Sequence, residues 1–326
     1  MIALRLSSCQ GISRRLDWSC TPSAVCLFPR GVWSHRDPAT VRLEVAIMNL
    51  DFLKPRPRRL LATQPLLNVG CGRRRHPAWV NADLAPDGPD VVPFDIRDGL
   101  PFADRVFDVV YASHVVEHLT LPGARTFLRE VYRVLRPAGV VRIVVPDLEG
   151  IARQYIEALE HAAGPSATVT ERWRHRWMTL ELLDQMVRHR SGGVMGRWWS
   201  LDNPPCMDFV VSRLGSEVCE RAVLRAREHA GAITSVSFAS LLDDAEPSQR
   251  ECAAFLQTGE LHRWMYDRLS LADMLVMSGF VRPEVRDANE SSIAGFSSYR
   301  LDADADGQPY KPDSLYMEAF TPSGPA

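Results

Sequence analysis

Leu66-Leu67-Asn68-Val69-Gly70-Cys71-Gly72 is a short apolar run closed by two glycines one residue apart. Glycine has no Cβ, so it takes left-handed backbone freely and lets a ligand approach the main chain closely. A lone G-x-G is a weak signal, and its surroundings decide its meaning. Four more apolar runs follow: Val80 to Leu84, Val91 to Asp95, Phe107 to Tyr111, and the largely β-branched Val140 to Val145. Runs of this length without polar alternation predict strands buried on both faces, as in a parallel sheet. Between the last two, Phe127, Leu128, Val131, Val134 and Leu135 recur at helical spacing over Leu121 to Leu135, and Pro137 and Gly139 are expected to end that helix.

Strand, glycine turn, strands and helix in this order predict an α/β fold. The expected sheet is doubly wound, mostly parallel, Rossmann-like and seven-stranded. Its last two strands are Val281 to Val285 and Leu315 to Phe320, after a helix over Ser270 to Met277 closed by Gly279. The intervening chain reads as helical, with apolar faces over Thr179 to Arg188 and Ser216 to Ala230. The expected division is therefore 48–150 and 263–322 for the sheet domain, with 151–262 as a helical insertion, or cap, between strands 5 and 6. Residues 1–47 lack a lasting period of 2 or 3.6. They are expected to be disordered, or not to belong to the natural protein, whose start would then be Met48.

The chain has 326 residues and a formal net charge of −2, which gives no global field favouring nucleic acid or an anionic membrane. The seven cysteines form no C-x-x-C pair, which argues against a zinc ribbon and for a reducing compartment. No apolar run approaches the ~20 residues of a membrane span, and Ser7 to Arg15 break up any signal-peptide core. A cytoplasmic protein of undetermined oligomeric state is expected, with no nucleic-acid partner. The basic residues are nearly all arginine, since Lys54 and Lys311 are the only lysines.

Open α/β sheets bind ligands at the carboxyl ends of their strands. Asp83 ends the second run, placed to accept hydrogen bonds from ribose hydroxyls, and Asp95 ends the third, within reach of an adenine amino group. A dinucleotide site would use the same elements, but Arg75 occupies the third glycine position of G-x-G-x-x-G and no second nucleotide-binding half follows. A P-loop is excluded because no Gly-Lys-Ser/Thr is present.

A longer series narrows the choice. Leu67-Asn68-Val69-Gly70-Cys71-Gly72, Trp79 to Leu84, Pro101-Phe102, Phe107 to Tyr111, Ser113 to Leu119, Arg133 to Gly139 and Ile143 to Asp147 resemble, in order and spacing, the methyltransferase type 11 group of class I S-adenosylmethionine-dependent enzymes. The resemblance implies S-adenosyl-L-methionine as cofactor. It places Gly70, Cys71 and Gly72 at the methionine moiety, with Asn68 standing where an acid is usual. It assigns Asp83 with Leu84 to the ribose, Asp95 with Ile96 to the adenine, and Ser113 with His114 to the sulfonium end. The short gap from Gly70 to Asp83 predicts an abbreviated first helix, and Ala138 replaces a more usual glycine. Stretches at Glu181 to Arg188, His262 to Asp267 and Lys311 to Glu318 also look like bacterial relatives of the group.

The expected reaction is methyl transfer to an oxygen of a small molecule or glycan precursor. The alternatives are a catalytically silent cofactor-binding protein with a regulatory role and an NAD-type oxidoreductase. An oxygen acceptor gains from a general base, and His114 and His118 are the candidates, with His262 a third. His114-Val115-Val116-Glu117-His118 also fits H-x-x-E-H, a zinc-protease pattern, but it begins where a strand ends rather than on a helix. Some O-methyltransferases carry Glu-x-x-Glu-His at this place and bind a divalent ion. Here His114 replaces the first Glu, so packing at a helix start is expected for Glu117 and His118, and no metal ligand is assigned. Asp302 to Asp313 resembles a calcium loop but reads better as a polar loop between the last strands. Trp198, Trp199, Trp264 and Tyr266 could floor an acceptor pocket or pack the cap core. Arg73, Arg74 and Arg75 after the glycine turn could steady an anionic acceptor or the cofactor carboxylate, or form a solvated helix start.

Overall fold

Each of the short apolar runs forms a strand in the computed structural model, which describes residues 60–201, 204–215, 237–242 and 246–324. All of these belong to the unit Pro57–Ala326. The expectations for residues 1–47 and for a helix over Ser216 to Ala230 fall outside the described residues. The strands are β1 (Leu66–Val69), β2 (Val80–Asp83), β3 (Val91–Pro93), β4 (Phe107–Ser113), β5 (Leu135–Pro146), β6 (Val281–Arg286) and β7 (Ser314–Phe320). They make one seven-stranded sheet in the order β3-β2-β1-β4-β5-β7-β6. β7 runs antiparallel between β5 and β6, and the other pairings are parallel.

Helix α1 (Leu121–Val134) follows β4. Its N-cap Thr120 accepts from the Gly123 amide, and Ala124, Phe127, Leu128, Val131 and Val134 are buried. The helix expected over Leu121 to Leu135 is present to within one residue, but strand pairing rather than Pro137 and Gly139 follows its end. The helix stops at Val134, Leu135 already pairs with Phe107, and regular register resumes only at Val140 opposite Val109. The residues between bulge out, and a bulge tolerates the proline because no ladder bond is lost. Ala138 sits there at φ +61, the left-handed region where glycine is at home.

Seven helices lie between β5 and β6 among the described residues, and the first six are α2 (Leu148–Ala163), α3 (Val169–Val187), α4 (Gly193–Trp199), α5 (Met207–Leu214), α6 (Phe238–Leu242) and α7 (Gln249–Leu256). Trp173, Trp177, Met178, Leu180, Met195, Trp198 and Val210 bury together as their core. The tryptophan stripe is packing, as Trp177 and Trp198 are each 1% exposed. Glu181, Asp184 and Arg188 of the helical motif are also inside, where Glu181 binds Arg213 at 2.6 Å and Asp184 binds Arg188 at 2.9 Å. Helix α8 (Arg268–Met277) then leads into β6.

Side chains alternate between the two faces of the sheet. Val110, Ala112, Val141, Ile143, Val145, Met317 and Ala319 face α1 and α8 in the main core. Val109, Tyr111, Val144 and Tyr316 face the other way, against Trp79, Ala288, Ile293, Phe296, Leu301 and Ala303. The first helix is therefore more than abbreviated. The connection from β1 to β2 carries only turns, and the β6–β7 connection covers the face that such a helix would cover.

Arg142 is buried at the centre of this second face. Its guanidinium binds Asp302 at 2.7 Å and Glu318 at 2.9 Å and donates to the carbonyls of Asp287 and Glu290. Tyr111 donates to Asp302 as well. Asp302 is thus a buried partner of Arg142, and the calcium-loop resemblance has no bearing on it. Replacing Arg142 by Met strands two buried carboxylates, so Arg142→Met is expected to cost about 3–5 kcal/mol of stability. Ala138→Gly is expected to gain about 0.5–1 kcal/mol by relieving left-handed backbone. Denaturant unfolding of both variants checks these opposite signs.

Candidate functional site

The carboxyl ends of β1 and β4 approach so closely that the first residue after β1 has no room for a side chain. At Gly70, φ is +65 and an added Cβ would overlap Val115 Cγ2. Gly72 follows at φ +48. The turn is held from β2, where Asp83 accepts from the Gly72 amide at 2.8 Å and from the Ala85 amide at 2.9 Å. Asn68 supports it from below, donating to the Arg74 carbonyl at 2.8 Å and to Asn81 at 3.2 Å. His114 takes φ +54 directly after β4, a strained conformation of the kind that gathers at functional sites.

Two cavities meet at this point and share Gly70 and His114. The first, about 410 Å³, is lined by Asp83, Leu84, Asp95, Ile96, Val115 and His118, and on its far wall by Leu256, Gln257, Thr258, Gly259, Leu261 and Arg263. The second, about 230 Å³, is lined by Asn68, Cys71, Gly72, Tyr111 and Ser113, with Leu301, Asp302, Tyr310, Lys311 and Tyr316 opposite. All ten residues expected at the cofactor line one cavity or the other. Asp95 differs in placement. It lies two residues past β3 and caps a 3-10 turn over Ile96–Asp98. Arg97 binds it at 2.6 Å, and that hydrogen bond holds its carboxyl below the usual range.

Trp198, Trp199, Trp264 and Tyr266 line neither cavity. Arg75 is engaged by Asp87 at 2.9 Å and Asp90 at 3.2 Å, and Arg74 stacks on Tyr310. The walls that sequence reasoning missed are Leu256 to Arg263 and Leu301 to Lys311. One signal was available, because Lys311 is one of only two lysines in a chain rich in arginine.

The histidines expected as bases converge on one carboxylate. Glu117 is fully buried, His114 Nδ1 lies 3.2 Å from it, and His118 Nε2 lies 4.0 Å away. His262 packs edge-on against His118 with ring centres 4.7 Å apart. His114 Nε2 is 3.0 Å from Ser314 Oγ. Burial, the largest influence on Glu117, favours its proton, yet the close approach of His114 and the fields of all three histidines hold it at about 2. Burial pushes His262 down to about 4 and lowers His114, against the pull of Glu117. A neutral imidazole places no full charge on the carboxylate, so burial of the histidines works against the Glu117 ion.

Gly70→Ala should cost about 1–2 kcal/mol from left-handed backbone alone, with a further loss from the clash. Adding Val115→Ala should recover the second part and leave the first. Thermal melts of the two single variants and the double variant separate these parts.

Residues 69–143 match the methyltransferase domain family. No curated protein sequence matches the chain. Similar solved structures include the CurJ carbon methyltransferase, 13% identical with a TM-score of 0.32, where 87% of this chain covers 54% of that one. Another is phosphoethanolamine N-methyltransferase 2 of Haemonchus contortus with S-adenosyl-L-methionine, 11% identical with a TM-score of 0.32, covering 86% of this chain and 52% of that one. A third is a possible histamine N-methyltransferase of Thermotoga maritima, 10% identical with a TM-score of 0.32, covering 84% and 86%. The chain spans about half the length of the first two, and likenesses this distant carry no argument. The family match falls on the stretch that forms the glycine turn, β2, β4 and most of β5, so residues 69–143 are the part of the chain that resembles a methyltransferase domain.

Proposed function

We propose that the chain transfers the methyl group of S-adenosylmethionine to an oxygen of a small molecule or glycan precursor. The observation that carries this reading is the pair of cavities meeting at Gly70 and His114. A donor with its adenosine in the larger cavity, beside Asp83, Leu84 and Ile96, reaches the junction with its sulfonium. Gly70, Cys71, Gly72 and Asn68 then meet the methionine end, and Ser113 flanks the methyl. The acceptor enters on the side of Lys311, Tyr310 and Tyr316. Arg73 and Lys311 border the smaller cavity and suit a carboxylate there, either of the methionine moiety or of the acceptor.

The sulfonium is already activated, so aligning the acceptor oxygen in line with the methyl does most of the work. His114 lines both cavities, whereas His118 lines only the larger and His262 neither. That placement favours His114 as the base that takes the acceptor proton. The helical segment 151–262 serves as the cap of the cleft, completing the domain built from 48–150 and 263–322. Among the described residues no helix is long and apolar enough to cross a membrane. The proposed place of work is the cytoplasm.

Titration calorimetry with S-adenosylhomocysteine, S-adenosylmethionine and NAD tests the donor. The adenosyl ligands should bind and NAD should not, and the reverse result removes the reading. Asp83→Ala should weaken S-adenosylhomocysteine by about 1.5–3 kcal/mol, because a charged hydrogen-bond acceptor is lost. His114→Ala should slow methyl transfer about 10²–10⁴-fold, as measured by radiolabel transfer into fractions of cell extract.

A further inference from the structure

The buried group beside the cleft holds more than a candidate base. One ligand atom from each of Glu117, His118 and His262 can be chosen so that all lie within 4.8 Å of one another. Neither carboxylate oxygen of Glu117 has a hydrogen-bond partner, and the Nδ1 atoms of His118 and His262 are buried and unpartnered too. His114 Nδ1 approaches Glu117 to 3.2 Å without making a hydrogen bond to it. Four unsatisfied polar atoms in one buried place are unusual, because buried polar groups are almost always paired. An ionised carboxylate withdrawn from water needs a cation or several donors. The main chain here spends its donors elsewhere: the Arg263 and Trp264 amides go to the Glu117 carbonyl, and the His262 amide goes to the Gln185 carbonyl.

We propose that Glu117, His118 and His262 bind a divalent first-row transition-metal ion that ties the cleft's far wall to the sheet edge. One carboxylate and two imidazoles are a donor set for zinc, manganese or cobalt rather than for calcium, which takes oxygen ligands. The three ligands come from two places far apart in the chain. Glu117 and His118 sit on the 3-10 turn after β4, and His262 ends the segment whose residues Leu256 to Leu261 wall the larger cavity. Both anchor points are already positioned by main-chain hydrogen bonds, at 2.6 Å from Arg263 to Glu117 and 2.9 Å from His262 to Gln185. Closing so long a loop through one ion restricts the unfolded chain strongly and adds to folded stability by mass action. His118 also lines the cavity, so the ion stands at its wall. This inference needs only the buried cluster and stands whether or not the proposed methyl transfer does.

The test uses the full chain, freed of metal by chelator and dialysis. Titration with Zn²⁺, Mn²⁺ and Co²⁺ should show one site per chain, with a dissociation constant of micromolar or tighter for at least one ion. The melting temperature should rise by several degrees with that ion and fall back when EDTA is added. Bound Co²⁺ should show visible absorption bands of a nitrogen- and oxygen-ligated ion. His262→Ala and His118→Ala should weaken the site at least 100-fold, with far-ultraviolet circular dichroism confirming that each variant is folded. If no ion binds the wild-type chain and none shifts its melting temperature, the inference is overturned, whatever becomes of the variants. Binding unchanged in folded His262→Ala and His118→Ala would overturn it equally, because the ion would then sit elsewhere.

Discussion

Ten residues, Gly70 to Trp79, join β1 to the parallel strand β2, and that shortness constrains everything around it. A crossover between parallel neighbours ordinarily takes a dozen or more residues and carries a helix that covers one face of the sheet. Here the connection has room only for the glycine turn and the return to Trp79. The face beside β1, β4 and β5 must then be covered from elsewhere, because its strands carry Val109, Tyr111 and Val144 that have to be buried. The β6–β7 connection does this with Ala288, Ile293, Phe296 and Leu301. Arg142 pins it there through Asp302, Glu318 and two carbonyls. The same cover supplies Tyr310 and Lys311 to the smaller cavity. A short loop at one end of the chain thus determines which residues face the site from the other end.

The junction of the two cavities has left-handed backbone on both sides, which would strain any residue with a Cβ. Gly70 avoids the strain by being glycine, but His114 takes left-handed backbone with a full side chain. The reason lies in what the turn achieves. It aims the imidazole between Ser314 and Glu117 while the His114 amide still donates to the Val144 carbonyl at 2.8 Å. The strand therefore ends with its ladder intact and its next side chain redirected toward the site. Backbone strain of this kind persists only where surrounding contacts over-determine it.

The strands, the glycine turn, the acid at Asp83 and the helix after β4 were legible because each is a local pattern of apolar period and punctuation. What was not legible depends on partners far away in the chain. Val140 to Val145 reads as an apolar strand, and the arginine inside it passes as an interruption until its partners appear 160 and 176 residues on. Pro137 and Gly139 read as the punctuation after a helix ending at Leu135, but the helix ends one residue sooner and the chain pairs as a strand before bulging. Asp95 reads as an acid at a strand end, and the structure gives its charge to Arg97 two residues later. Glu117 and His118 read as packing at a helix start, because nothing local shows that His262 returns to the same place.

The stretch that matches the methyltransferase domain ends at residue 143, and that boundary has a physical counterpart. Of the residues around the two cavities, Gly70 to Asp95 and Ser113 to His118 lie inside it, whereas Leu256 to Arg263 and Leu301 to Tyr316 lie outside. On the proposed reading, the matched stretch grips the common donor and the unmatched stretches shape what receives the methyl group. A cofactor shared by many enzymes demands the same turn and the same acid each time, so the pattern recurs and can be recognised. An acceptor particular to one enzyme makes no such demand, and its walls are free to come from a cap and a loop with no general signature. Glu117 and His262 cross this boundary, one from each side. The buried cluster they share is therefore the point at which the recurrent half of the site and the particular half are mechanically joined.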